Sequence, residues 1–86
     1  MKINDIEYQE QNLVLNLEDN QKIDVFPDLR IPIDRRREYR VLSINLDEET
    51  GKIKIKLGIY RKSKQINCIN VGLNEFSNIL DEYGIL

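Results

Sequence analysis

A chain of 86 residues, 41% hydrophobic and 33% charged, holds enough apolar material for one core and is too short for two, which excludes a multidomain enzyme. At this size only about 60 to 65% of the unfolded surface is lost on folding, so the core is thin and pairing with a second copy is useful. The formal net charge of −2 and the sequence pI of 5.1 argue against a generally basic nucleic-acid binder.

The charge is unevenly spread. Residues 30 to 64 carry eleven of the thirteen basic side chains against five acids, a net +6, while the remainder carries two against ten, a net −8. A chain polarised in this way can attract polyanions at one place while staying soluble as a whole. The single cysteine and the absence of histidine leave no disulfide and no Cys/His cluster for zinc or iron, so no cofactor or metal is expected. No apolar run reaches the ~20 residues that span a bilayer, and the first residues lack the basic start and apolar stretch of a secretion signal. A cytoplasmic protein with no membrane contact is expected.

In chain order, Ile3 to Tyr8 alternates poorly and is a strand candidate only. Leu13 to Glu18 and Ile23 to Phe26 alternate with period two around Asp19-Asn20-Gln21. A three-residue loop there pairs Glu18 with Lys22, Leu17 with Ile23 and Leu15 with Val25, which keeps the apolar residues on one face. Pro27 and Pro32 cannot donate to a ladder, so residues 27 to 38 are expected to be a connector, ending in the mixed-charge run Asp34 to Glu38.

The clearest signal is a second hairpin, Tyr39 to Asp47 and Lys52 to Tyr60, joined by Glu48-Glu49-Thr50-Gly51. A four-residue loop sets Leu46 opposite Ile53, Ile44 opposite Ile55 and Leu42 opposite Leu57 on an aliphatic face. Parity then puts Asp47 opposite Lys52, Asn45 opposite Lys54, Ser43 opposite Lys56 and Tyr39 opposite Tyr60 on a wet, basic one. Ile66 to Val71 reads as a further strand whose register is open. Leu73, Phe76, Ile79, Leu80 and Tyr83 recur at helical spacing and predict a helix over about residues 74 to 83. Asn74 is its expected N-cap, and Gly84 is placed for a left-handed ending with Ile85 against Leu80.

Catalytic signals are missing: no serine or threonine sits in a nucleophile motif, and there is no histidine to serve as a base. Cys68, set in an apolar strand, reads as a small buried filler, and Asp47-Glu48-Glu49 reads as a solvated hairpin tip. The protein is not expected to be an enzyme. Single-stranded nucleic acid is held by cations tracking phosphates and by aromatic rings under unstacked bases. Tyr39, Lys54, Lys56 and Tyr60 meet that description on one sheet face. Arg61, Lys62 and Lys64 extend it past the strand end, and Arg35, Arg36, Arg37 and Arg40 are able to fold over it from the connector. Exposed lysines on a strand also serve simply to keep it soluble and unpaired.

In Tyr39-Arg40-Val41-Leu42-Ser43-Ile44, in Gly51-Lys52-Ile53-Lys54-Ile55-Lys56-Leu57, in Tyr60, in Ile69-Asn70-Val71 and in Phe76 seven residues after Ile69, the chain from Tyr39 onward resembles the single-stranded-DNA-binding coactivators of the positive-cofactor-four type, and more loosely the Pur-alpha repeat. Gly58 stands where that pattern has an arginine, and Ile66-Asn67-Cys68 replaces a Lys-Lys-Gly. The resemblance implies four strands followed by a helix, a homodimer and binding of single-stranded DNA or RNA.

The expectation is therefore one α+β domain over residues 1 to 86, with a hairpin at 12 to 26, the connector at 27 to 38 and a strand-strand-strand-helix unit at 39 to 86. The sheet is a curved antiparallel one of five or six strands. The alternative function is a small acidic protein-binding module or inhibitor, of the immunity or phage anti-defence type, using its acidic N-terminal region against a basic partner.

Overall fold

Strands β1 (Ile3–Gln9), β2 (Asn12–Leu17) and β3 (Lys22–Val25) form one antiparallel sheet in that order. Strands β4 (Arg30–Pro32), β5 (Arg37–Asp47), β6 (Lys52–Arg61) and β7 (Lys64–Gly72) form a second, and helix α1 (Leu73–Glu82) follows. The structure, a computed structural model, describes residues 3–83. The class is α+β as expected, but the described residues form seven strands in two sheets where a single sheet of five or six was expected. None of the described helical residues forms a span long and apolar enough to cross a membrane.

The poor alternation of β1 has a cause: Ile3 pairs with Leu17 but Asp5 pairs with Asn16, so Asn4 is an extra residue in a bulge. The bulge lets Ile3, Ile6 and Tyr8 all pack against the core. Between β2 and β3 the loop has three residues, as expected, but it is Glu18-Asp19-Asn20, closed by the Leu17 N–H donating to the Gln21 carbonyl at 2.8 Å. Asn20 takes a φ of +59°, a left-handed position that asparagine tolerates better than glutamine. Leu15 therefore faces Ile23 and Leu13 faces Val25. The shift from the expected pairing is two residues, so parity holds and Leu13, Leu15, Leu17 and Val25 are still buried.

Phe26-Pro27-Asp28-Leu29 is a turn, with the Leu29 N–H donating to the Phe26 carbonyl at 3.1 Å and Asp28 at a φ of +74°, the geometry of a type II turn with proline at its second position. This corner ends the first sheet. The connector expected over 27 to 38 is then partly a strand, since Arg30, Ile31 and Pro32 pair with Arg40, Tyr39 and Glu38. Proline is tolerated because β4 is an edge with a partner on one side only.

In β5 and β6 the expected register holds from the loop inwards. Asp47 faces Lys52, Leu46 faces Ile53, Asn45 faces Lys54, Ile44 faces Ile55 and Ser43 faces Lys56, with Gly51 at a φ of +70° closing the loop. Then Val41, not Leu42, faces Leu57. Leu42 is the extra residue of a bulge, and every residue before it changes face.

Lys62 and Ser63 join β6 to β7 in a two-residue turn with φ of +51° and +64°, the left-handed pair of a type I′ hairpin. A further bulge at Ile66, between the pairs Tyr60–Gln65 and Ile59–Asn67, fixes the register that the sequence left open. Cys68 is exposed opposite Gly58, so the expectation of a buried filler is corrected: after the bulge it lies on the solvent side, and Ile69 and Val71 turn inward.

β7 runs straight into α1. Gly72, extended at φ −79° and ψ 174°, is the N-cap with no side-chain cap, so Asn74 lies in the first turn and is not the expected cap. Phe76 and Leu80 are buried, with Leu73, Ile79 and Tyr83 beside them. The ending expected at Gly84 and Ile85 lies outside the described residues. The helix, the apolar side of the first sheet and the aliphatic side of the second share one core cluster, each fully buried aliphatic side chain contributing about 1.5–3 kcal/mol.

Gln11, at the β1–β2 turn, ties the two sheets together. Its amide nitrogen donates to the Ile44 carbonyl at 2.9 Å, its amide oxygen accepts the Ile44 N–H at 3.0 Å, and the Tyr8 hydroxyl donates to the same carbonyl at 3.1 Å. β4 stops pairing near Val41, and Gln11 supplies the hydrogen bonds that a longer β4 would have given to Ile44.

Candidate nucleic-acid interface

The solvent side of the second sheet is built on β6. Alternation there turns Ile53, Ile55 and Leu57 into the core and leaves Lys52, Lys54 and Lys56 exposed, about 6.7 Å apart along the strand. Among the described residues the ion pairs engage only Arg30, Arg37 and Arg40, so these three lysines face water with no carboxylate partner. Asp47, although opposite Lys52, does not pair with it and instead accepts the Glu49 N–H at 3.0 Å in its own turn.

Farther along the same face lie Gly58 and Tyr60. A Cβ placed on Gly58 would come within 2.6 Å of Tyr60 Cε1 and 3.2 Å of Leu42 Cδ1. The phenol thus lies down over a strand position where only hydrogen fits. The Arg40 guanidinium covers the ring at 4.2 Å from its centroid, a cation–π contact, and the Tyr60 hydroxyl donates to Gln65 at 3.2 Å. Glu38 holds Arg40 by a 2.6 Å hydrogen bond from Nε and approaches Arg30 at 3.5 Å. Arg30, Glu38, Arg40 and Tyr60 thus form one linked group on the lysine-bearing face.

Beyond that group, the β4–β5 loop and the β6–β7 turn come together. Arg35, Arg36, Arg37, Lys62, Asp34 and Glu38 border a cleft of about 320 Å³. The loop is held by Asp34, whose Oδ1 accepts the N–H groups of Arg36 and Arg37, each at 2.8 Å, and whose Oδ2 accepts Arg37 Nε at 3.0 Å. These backbone and guanidinium donors hold the Asp34 carboxyl below its ordinary value of 3.8. Four cations thus meet one engaged carboxylate and the arginine-bound Glu38.

The expected site is only partly assembled. Lys54, Lys56, Tyr60 and Arg40 share one face, and Arg35, Arg36, Arg37 and Lys62 surround the cleft at its end. Alternation from Tyr60 puts Arg61 on the side of Ile59, with Arg37 and Lys64 paired to it in a cationic row. Tyr39 departs from the expectation: it faces Ile59 rather than Tyr60, packs on the core side, and meets Tyr83 of α1 edge-to-face at 5.8 Å between centroids. The bulge at Leu42 turned it over. Burial, then the neighbouring Tyr83 and Glu82, raise its phenol above the ordinary 10.0.

The alternation placed Lys52 on this face with Lys54 and Lys56, but opposite Asp47, and it was not counted among the expected binding residues. Sequence reasoning left out Arg30, Glu38 and Gln65 because a paired β4 and the register of β7 were needed to place them. Among the described residues no three His, Cys, Asp or Glu side chains gather as a metal would require. No family model, no curated protein and no solved structure matches the chain.

Proposed function

We propose that the lysine-bearing face of the second sheet binds single-stranded DNA or RNA, with no chemistry performed on it. The observation that carries this reading is the run of cations and a stacked ring along the lysine-bearing face, continued by the cationic cleft at its end. Lys52, Lys54 and Lys56 lead to the Arg40–Tyr60 stack, and that leads to the cleft ringed by Arg35, Arg36, Arg37 and Lys62. Phosphates follow the cations, and a base stacks on the outer plane of Arg40 or takes its place on Tyr60. The phenol expected at Tyr39 has no part in this version.

The test is a fluorescent oligonucleotide titrated at several salt concentrations. Binding is expected to weaken steeply with salt, and replacing Lys54 and Lys56 together by alanine is expected to lower the slope of log K against log salt by about 1.4, from ~0.7 per phosphate contact on a single strand. Absence of binding at micromolar protein in low salt removes the reading.

A second reading, a protein-binding module, rests on the opposite charge of the first sheet. There Asp5, Glu7 and Asp24 alternate away from the core residues Ile6, Tyr8, Ile23 and Val25. Retention of one host protein that survives nuclease treatment, with no oligonucleotide binding, favours this reading over the first.

A further inference from the structure

A β-sheet edge exposes a row of N–H and C=O groups, and proteins blunt such edges with charge, proline, brevity or bulges. Three of the four edges here are treated in that way. β4 is three residues long and contains Pro32, β3 is four residues long with Lys22 and Asp24, and β1 carries Asp5 and Glu7 beside its bulge. β7 is the exception. It is nine residues long, has β6 as its one strand neighbour among the described residues, and from Gln65 to Gly72 has neither a charged residue nor a proline, in a chain that is 33% charged. Its bulge at Ile66 leaves that side chain 55% exposed and the stretch from Asn67 to Gly72 regular.

The edge also displays a stopgap. The Cys68 N–H, at the middle of β7, donates to the amide oxygen of its own neighbour Asn67 at 2.8 Å. β1 uses the same device at Ile6, whose N–H donates to the Asp5 carboxylate at 2.8 Å. The two caps differ in charge. A carboxylate on an edge repels an approaching carbonyl row and is costly to strip of water, whereas a neutral amide swings aside and leaves the N–H to a new acceptor.

We propose that β7 pairs antiparallel with β7 of a second copy across a twofold axis, joining two four-stranded sheets into one of eight. The occupant is a second copy because an uncharged edge is complementary to itself: its donors and acceptors meet their own kind in reverse, and no like charges are brought together. The register of longest overlap centres on Cys68. Such a ribbon buries less than the ~1,200 Å² of a standard interface, so a micromolar dimer is expected. Both lysine rows then lie on the same side of the joined sheet.

Sedimentation equilibrium of the full chain tests this, with a short thiol-to-thiol cross-linker reporting on Cys68, the chain's sole cysteine. The wild type is expected to dimerise in the micromolar range and to cross-link through Cys68. Asn67→Asp, which gives β7 the kind of cap β1 has, is expected to weaken the dimer at least tenfold and abolish cross-linking while leaving the circular dichroism spectrum unchanged. Should that variant unfold, Cys68→Lys, a change at an exposed position, replaces it and is read by sedimentation alone. A wild type that stays monomeric at several hundred micromolar overturns the proposal, as does a dimer that a folded variant leaves intact.

Discussion

Gly58 lies in the middle of a β-strand, a place where glycine ordinarily weakens structure. Its reason is the ring laid across it: a methyl group there meets Tyr60 Cε1 at 2.6 Å. Gly58→Ala is expected to cost about 1–3 kcal/mol and to lift Tyr60 away from Arg40, read by chemical denaturation together with tyrosine fluorescence. Tyr39 is a second residue whose neighbours decide its behaviour. Its folded-state pKa is raised above 10.0, chiefly by burial, so the folded form holds its proton longer than the unfolded one. The stabilisation is complete below pH 10 and is lost as pH rises through the folded value. An absorbance titration is expected to show a late-ionising tyrosine, and Tyr39→Phe is expected to remove that late step and to lessen the loss of stability that chemical denaturation reads above pH 10.

At the scale of elements, the turns set the registers. The β5–β6 loop has a glycine at its left-handed position and forms where the alternation places it. The β6–β7 turn has two non-glycine residues, Lys62 and Ser63, at positive φ, each conformation costing on the order of 1 kcal/mol. Ser63→Gly is expected to raise stability by about 0.5–1 kcal/mol, the relief of strain being partly offset by the freedom glycine gains in the unfolded chain, as a higher urea midpoint at unchanged slope shows. Bulges explain the discrepancies between pattern and structure. Asn4, Leu42 and Ile66 each add one residue to a strand, and each reverses the parity beyond it. The reversal at Leu42 exchanged Tyr39 for Arg40 on the lysine-bearing face; the one at Ile66 left Cys68 outside and Ile69 inside.

For the molecule as a whole, the question is what makes two small sheets one body. Apolar burial is shared among the first sheet, the second and the helix, but hydrophobic contact is non-directional and does not by itself fix where one sheet meets the other. Gln11 does so by behaving as a residue of a missing strand beside Ile44. Gln11→Ala leaves the Ile44 N–H without that acceptor and is expected to cost about 1–2 kcal/mol. It is also expected to accelerate hydrogen exchange at Ile44 more than at Ile55 in the same sheet, since Ile55 is paired on both sides by β5 and β7. The charge asymmetry visible along the chain becomes a spatial one, with Asp5, Glu7 and Asp24 on the outside of the first sheet and Lys52, Lys54 and Lys56 on that of the second.

Side-chain alternation alone determined much of this protein: the α+β class, the hairpin that turns at Gly51, the aliphatic and lysine-bearing faces of β6, and the apolar stripe of the helix. Those features follow from periods of 2 and 3.6 residues, which are local and need no knowledge of the rest of the chain. Only the tertiary structure decided that the strands divide between two sheets at the Pro27 corner, that Pro32 is tolerated at an edge, and which phenol shares a face with the lysines. A bulge adds a residue without leaving a composition signal, and an edge is defined by neighbours far away in sequence. The site is therefore legible along β6 and illegible across it.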